Sequence, residues 1–466
     1  MNTCIDHFIR RAIVSILLCV AAALPALSQD TIPKCHIDID PAYRLANVDY
    51  SCVRLPSDRK MLIAEAGNAS APTVVLVHGL GDNAHRDWKY AVPELAKQFH
   101  VVAVDLPGFG DSEPLPDGYS FAGLDAALEE VAIQRKLQQF HLVGHSLGAA
   151  VSLYYAERHP QRIRRLVLAD AAGVLLQQVF TRQLIEANRA STGIDALGLL
   201  GVLAPDMSAD RALDFIEDRV DVNFLLTANP ALRRAIFGMQ TYADAAFGLV
   251  EHDFTSAIRA VRAPTVIIWG ENDNITPIRT GRLLAARMHE AQLRIVPDAQ
   301  HVPMLQRPDA FNRELLSSLA GPFAPVSPSI AGPSQGDVTC NGQTNQRYSG
   351  MFDRLTLDNC SNAHLENARV RELRVQRSTL TMDRVTVESP AIALDASDST
   401  ITATGITLIG RTGIRAQLSR LDLAGATLRA QERAVQMGSD TRLYFSVSDV
   451  EAPDYRGDAH FIWPPK

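Results

Sequence analysis

A serine flanked by glycines, in Gly144-His145-Ser146-Leu147-Gly148, is where residue type and spacing first point to chemistry in this 466-residue chain. The run His141 to Val143 precedes it, and a helical stretch from Ala149 to Arg158, stopped by Pro160, follows. Between a strand and a helix, G-x-S-x-G makes a tight turn whose glycines let backbone crowd close while the hydroxyl stands exposed. That hydroxyl is unreactive until a base takes its proton, so a histidine is needed, with an acid to orient it. Both follow in the order Ser, Asp, His. Thr265 to Trp269 runs into "GENDNITP", setting Asp273 just past a strand end, and Leu293 to Val296 runs into "PDAQHVPM", setting His301 past the next. Such a trio performs nucleophilic attack on a carbonyl, and it requires no cofactor and no metal.

Other polar residues compete for these roles. Asp170 ends another strand, Arg165 to Ala169, and offers an alternative acid, although the setting of "WGENDNITP" favours Asp273. Asp105 and Asp111 sit in a glycine-rich turn and are read as fixing its hydrogen bonds. His78 and His145 are read as structural. His85, His252 and His289 form no pair with metal-ligand spacing.

The elements that must position the trio alternate from about Ala71 to Ala320: short β-branched runs, then amphipathic stretches. This is the pattern of a mostly parallel sheet flanked by helices. Expected strands are Thr73 to Val77, Val101 to Asp105, His141 to Val143, Arg165 to Ala169, Thr265 to Trp269 and Leu293 to Val296. Between Gly173 and about Ile258 helical spacing replaces the strand rhythm, which predicts a helical cap over about 174–258. Its Phe180, Leu199, Leu200, Phe224 and Phe237 either line a substrate pocket or pack the cap onto the body.

Residues 321–336, "GPFAPVSPSIAGPSQG", read as a semi-rigid linker. Beyond it the sequence repeats. "STLTM" at Ser378, "STITA" at Ser399, "SRLDL" at Ser419 and "SDTRLYF" at Ser439 are 21, 20 and 20 residues apart, and Ala391-Ile392, Gly413-Ile414 and Ala434-Val435 keep step. Two tracks in register predict a short parallel β-helix over 337–466, roughly six coils, rather than a β-sandwich.

Five motifs together resemble the α/β-hydrolase superfamily, in particular its capped ester-, lipid- or C-C-bond-hydrolysing members. They are "VHGLGDN" at Val77, "DLPGFGDS" at Asp105, "GHSLG" at Gly144, "WGENDNITP" at Trp269 and "DAQHVPM" at Asp298, within about residues 60–320. The resemblance implies that Ser146 attacks, His301 takes and returns the proton, and Asp273 holds the imidazole. It also implies that the backbone N–H groups of Leu80 and Leu147 form the oxyanion hole. One departure stands out: such families usually place Gly before the histidine, and here it is Gln300. A serine nucleophile implies an acyl-enzyme, with ester or lipid cleavage first and C-C hydrolysis or peptide release as alternatives. A different class, an envelope glycan-binding protein with a vestigial hydrolase body, is motivated by the repeats alone.

Composition bounds the partners. With 47% hydrophobic and 21% charged residues the chain can bury a large core, and a net charge of -7 gives no electrostatic reason to bind nucleic acid. A small-molecule or lipid ester substrate fits, with a cell-envelope glycan or protein contact through 337–466. Arg10 and Arg11 precede an apolar run from Ala12 to Leu24, and Ala26-Leu27-Ser28 suits a signal peptidase. Residues 1–28 therefore read as an export signal cleaved near Ser28/Gln29, predicting a periplasmic or secreted protein with a body over 29–320. The run is shorter than the roughly 20 residues of a membrane span, and Pro25 ends it. Without Cys4 and Cys19, four cysteines remain. Three pairings are possible, and sequence proximity favours Cys35 with Cys52 and Cys340 with Cys360.

Overall fold

In the computed structural model, which describes residues 35, 44–81, 84–116, 119–175, 245, 248–249, 252–323 and 333–465, the β-branched runs of the first half pair into one eight-stranded sheet. Its strands are β1 (Asp49–Arg54), β2 (Lys60–Ala66), β3 (Thr73–Val77), β4 (His100–Val104), β5 (Phe140–His145), β6 (Ile163–Ala169), β7 (Thr265–Gly270) and β8 (Ala291–Val296). The spatial order is β1-β2-β4-β3-β5-β6-β7-β8. Pairing is parallel from β4 to β8, while β1 with β2 and β2 with β4 are antiparallel. The sequence reading missed β1 and β2, because an antiparallel edge lies outside the strand-helix rhythm on which it relied.

Among the helices that accompany the sheet are α1 (Phe121–Gln134), α2 (Leu147–Arg158), α3 (Thr255–Ala260), α4 (Ile278–Arg287) and α5 (Pro308–Ala320). Ser120 caps α1, its side chain accepting from Gly123 N–H. Because a pleated strand turns alternate residues to opposite faces, Leu142, Leu168 and Trp269 join the core shared with α1, α2 and α4. Their neighbours Val143, Val167 and Ile268 join a second core with Phe311 and Leu315 of α5. Strands apolar on both faces are what a sheet covered on both sides requires. The export signal, nearly all of the expected cap with Phe180, Leu199, Leu200, Phe224 and Phe237, and the middle of the linker lie outside the described residues.

The second half is an eleven-stranded array from β9 (Asp337–Asn341) to β19 (Tyr455–Trp463). Every pairing is parallel except that of β18 (Arg442–Ala452) with β19. Each residue pairs with one a coil further on, so Ala363, Leu380, Ile401, Leu421 and Leu443 form one buried column. Leu355, Leu373, Leu394, Ile414 and Val435 form another. This is the β-helix-like arrangement the two tracks predicted.

The repeated serine has a physical reason. Ser378 N–H donates to Ser399 Oγ and Ser399 N–H to Ser419 Oγ, while the three hydroxyls donate to the carbonyls of Gln376, Ser397 and Gln417. The ladder satisfies buried amides at a corner that the preceding Arg377, Asp398 and Leu418 turn with positive φ. Cys35 pairs with Cys52, and Cys340 with Cys360.

The coils dock against α4 at the next corner. Gly405 and Gly425 stand there with φ of +59° and +63°, and a Cβ on them would lie 3.1 Å from Ala286 Cβ and 3.2 Å from Arg287 Cγ. Ala424, Tyr444 and Val447 complete the apolar contact by entering the core of the first sheet. Around it, Arg259, Arg279, Arg282 and Arg287 meet Asp449, Asp458, Asp422 and Asp383 of the coils.

Candidate active site

Ser146 follows directly on β5 and caps α2, with φ 51° and ψ −114°. A non-glycine residue in such a conformation costs of order 1–3 kcal/mol and persists only where the surroundings impose it. The two glycines of the motif are part of that imposition. A Cβ on Gly144 would lie 2.3 Å from Gly148 O, and one on Gly148 would lie 2.3 Å from the carbonyl oxygens of Val77 and His78. Ser146 N–H donates to Ala169 O at 2.9 Å, tying the turn to β6.

The three residues singled out from the sequence come together. His301 Nε2 lies 2.9 Å from Ser146 Oγ, and His301 Nδ1 lies 2.8 Å from Asp273 Oδ2. A carboxylate can only accept, so the proton sits on Nδ1 and Nε2 faces the serine as an acceptor. Asp273 Oδ1 accepts from the amides of Ile275 and Thr276, and Thr276 Oγ1 donates to Oδ2 at 2.6 Å. Burial works to raise the Asp273 carboxyl, but the His301 ring, the Thr276 hydroxyl and the Ile275 amide outweigh it and hold it below the usual range.

Leu80 and Leu147, the oxyanion donors that the resemblance implies, both adjoin the Ser146 turn. Leu147 is the first residue of α2, where a backbone N–H has no intrahelical partner. Leu80 follows Gly79, where a Cβ would lie only 3.1 Å from Ser146 Cβ. His78 Nε2 accepts from Leu106 N–H, so its Nδ1 donates to Gly79 O at 2.6 Å and fixes the peptide carrying the Leu80 amide. His145 does a parallel task, its Nε2 donating to His301 O at 2.6 Å. Burial, with the neighbouring His301, lowers His145 to about 3, so this ring stays neutral. In the glycine-rich turn Asp105 accepts from the backbone and ring of His85 and from Asp111 N–H.

Gln300, the departure, is accommodated. It is exposed, its φ is not positive, and its amide donates to Gln306 Oε1 at 2.8 Å. The loop needs its glycine instead at Gly270, where a Cβ would lie 2.1 Å from Gln300 O. Thr276 was missed from sequence, although an Asp followed three residues later by a hydroxyl residue is the spacing of a side-chain-closed turn. Asp170, Asp273 and His301 are the one carboxylate-histidine group among the described residues with metal-ligand proximity. A cation there would have to break the Asp273–His301 hydrogen bond.

Residues 72–308, 237 of the 466, match the family model described as alpha/beta hydrolase fold. The chain belongs to this family. Among α/β-hydrolase proteins it is 30% identical over 274 residues to 2-hydroxymuconate semialdehyde hydrolase of Pseudomonas sp. strain CF600, covering 54% of this chain and 86% of that one. It is 28% identical over 250 residues to monoacylglycerol lipase abhd6-B of Xenopus laevis, covering 51% and 72%. A solved hydrolase from Pseudomonas aeruginosa PA01 aligns with 25% identity and a TM-score of 0.44, covering 60% of this chain and all of the other. The α/β-hydrolase match spans β3 to β8 and leaves β1, β2 and the coils of 337–463 outside it.

Proposed function

We propose that this protein is an exported serine hydrolase that cleaves an ester or related acyl bond through an acyl-enzyme. The observation that carries the reading is the continuous hydrogen-bonded line from Ser146 Oγ through His301 to Asp273, closed at 2.9 and 2.8 Å around a strained elbow. Ser146 Oγ attacks the carbonyl carbon as His301 Nε2 takes its proton. The oxygen's developing charge is met by the Leu80 and Leu147 amides, and the leaving group departs with the proton. Water then repeats the sequence on the acyl-serine and restores the enzyme. Asp273, fixed by four hydrogen bonds, keeps the ring in the productive tautomer.

Export is supported by the N-terminal signal pattern and by the two disulfides. Among the described residues no helix is long and apolar enough to cross a membrane. The repeats of 337–466 form a separate unit under this reading, joined by the linker at 321–336 and docked on α4. A C-C bond hydrolase on the same triad is the second reading, favoured by the 30% identity to a 2-hydroxymuconate semialdehyde hydrolase.

A fluorophosphonate probe should label the full-length protein and leave Ser146→Ala unlabelled; equal labelling of the two would sink the reading. Turnover of p-nitrophenyl esters, without turnover of a ring-cleavage dienoate, selects acyl-bond cleavage over the C-C alternative. Mass spectrometry of exported protein is expected to find Gln29 as the first residue.

A further inference from the structure

β6 and β7 are adjacent parallel strands, with Ala169 opposite Ile268, and an aspartate follows each within a few residues. The register brings the two carboxyls to one place. Asp170 N–H donates to Ile268 O, and Asp170 Oδ1 accepts from Gly270 N–H at 2.8 Å. The side chain is wholly buried, and Oδ2 meets no donor among the described residues. An oxygen of Asp170, an oxygen of Asp273 and a nitrogen of His301 lie within 4.8 Å of one another.

Two carboxyls this close and this dry do not both ionise. Asp273 is the one equipped to carry the charge, with donors on both oxygens, whereas Asp170 has a single amide. The shared proton therefore belongs on Asp170, whose free oxygen can use it only toward an acceptor. We propose that Asp170 is a positioning residue of this site: its protonated carboxyl donates a hydrogen bond to Asp273 and holds that carboxylate against the His301 ring.

The proposal rests on the triad reading above and deepens it. A neutral donor behind Asp273 fixes the carboxylate without adding a second negative charge, so the imidazolium formed in the reaction meets an oriented partner. Burial and the charge of Asp273 both push the Asp170 carboxyl well above its ordinary range, in the same sense as the geometry. Asp273 is the charged group that faces it. His301 stands beyond Asp273, and His145, bonded to the His301 carbonyl at the end of β5, is neutral. The role is distinct from that of an alternative acid, which would have to ionise.

The backbone of Asp170 is left-handed, with φ 44°, which selects the test. Asn tolerates that conformation, is uncharged, and keeps an acceptor for Gly270 N–H and a donor for Asp273. Gly tolerates it and removes the donor. The rate of fluorophosphonate labelling of the full-length protein is measured from about pH 5 to 9 for wild type, Asp170→Asn and Asp170→Gly. Asp170→Asn is expected to label within about threefold of wild type with an unchanged midpoint pH, and Asp170→Gly at least about tenfold slower. The Asp170→Gly midpoint should also move upward, because the more concentrated charge of Asp273 favours the protonated His301.

A midpoint moved downward in Asp170→Asn would mean that a negative charge had been removed, and overturns the proposal. So does an Asp170→Asn protein that folds yet labels as slowly as Asp170→Gly, or an Asp170→Gly protein that labels like wild type. Should Asn fail to fold, Asp170→Ser, uncharged and still a hydroxyl donor, carries the same expectation. Ser146→Ala is labelled in parallel. Labelling that survives it refutes the triad, whereas Ser146-dependent labelling indifferent to Asp170 refutes the positioning role alone.

Discussion

Arg279, in the first turn of α4, grips Asp422 of the β-coils with both prongs of its guanidinium, at 2.5 and 2.8 Å, and places Nε 3.0 Å from Thr404 Oγ1. Three residues earlier, Thr276 bonds Asp273. The coils therefore clamp the helix whose leading loop carries the acid.

Removing Arg279 leaves a half-buried Asp422 without its partner. Arg279→Ala is expected to lower stability by about 1–3 kcal/mol in urea or guanidinium unfolding. Combined with Asp422→Ala, the two losses should be non-additive by about 0.5–3 kcal/mol. Strict additivity would mean that the pair contributes nothing across the junction.

The corner glycines offer a controlled comparison. Gly425→Ala meets both a left-handed backbone and Arg287 Cγ 3.2 Å away, whereas Gly336→Ala meets a φ of +70° with open space around it. Backbone strain of about 1 kcal/mol is common to both, so a larger loss at 425 measures the docking of α4. Equal melting temperatures for the two variants would argue that the helix yields freely.

Stability should fall as pH drops below neutrality. Burial, with Arg164 and Arg165 adding to it, lowers His141 to about 4, and burial with His301 lowers His145 to about 3. Both rings are neutral when folded and protonate near 6.5 when unfolded, so below that value the unfolded chain binds more protons and stability declines toward pH 4. Asp170, raised, opposes this by holding a proton that the unfolded chain has released. Asp105 and Asp273, lowered, add their own loss only as pH falls through the carboxylate range. Burial also lowers His78, His252 and His460 and raises Asp383, so five histidines against two carboxyls leave a net decline between about pH 6.5 and 5, and His141→Gln should flatten it by about 1.4 kcal/mol per pH unit. An unchanged slope in denaturation midpoints would show that His141 does not titrate on unfolding.

The Cys340–Cys360 bridge closes the first coil across a separation of 20 residues. Replacing both with Ala should cost about 2–4 kcal/mol by freeing the unfolded chain. Wild type in a reducing agent should unfold at the same denaturant concentration as the double variant; a gap between them would point to lost packing at these buried positions.

Much of this protein was legible in one dimension. The alternation of β-branched runs with helical stretches identified the sheet, and Ser146, Asp273 and His301 stood out because each falls just after a strand, at the edge where an open parallel sheet gathers its loops. The serine repeat exposed the coils, since stacking demands the same corner chemistry at every turn. Local pattern determines these features. What only the tertiary structure decided is which distant groups meet: the Asp170 carboxyl near Asp273, the Leu106 amide on His78 Nε2, Ser146 Oγ at His301 Nε2, and Arg279 on Asp422, 143 positions away. No periodicity encodes those meetings, because they depend on strand register and on how α4 settles into the corners at Gly405 and Gly425. Unequal donors then separate two buried aspartates of the same type, four hydrogen bonds favouring charge on Asp273 where Asp170 has a single amide.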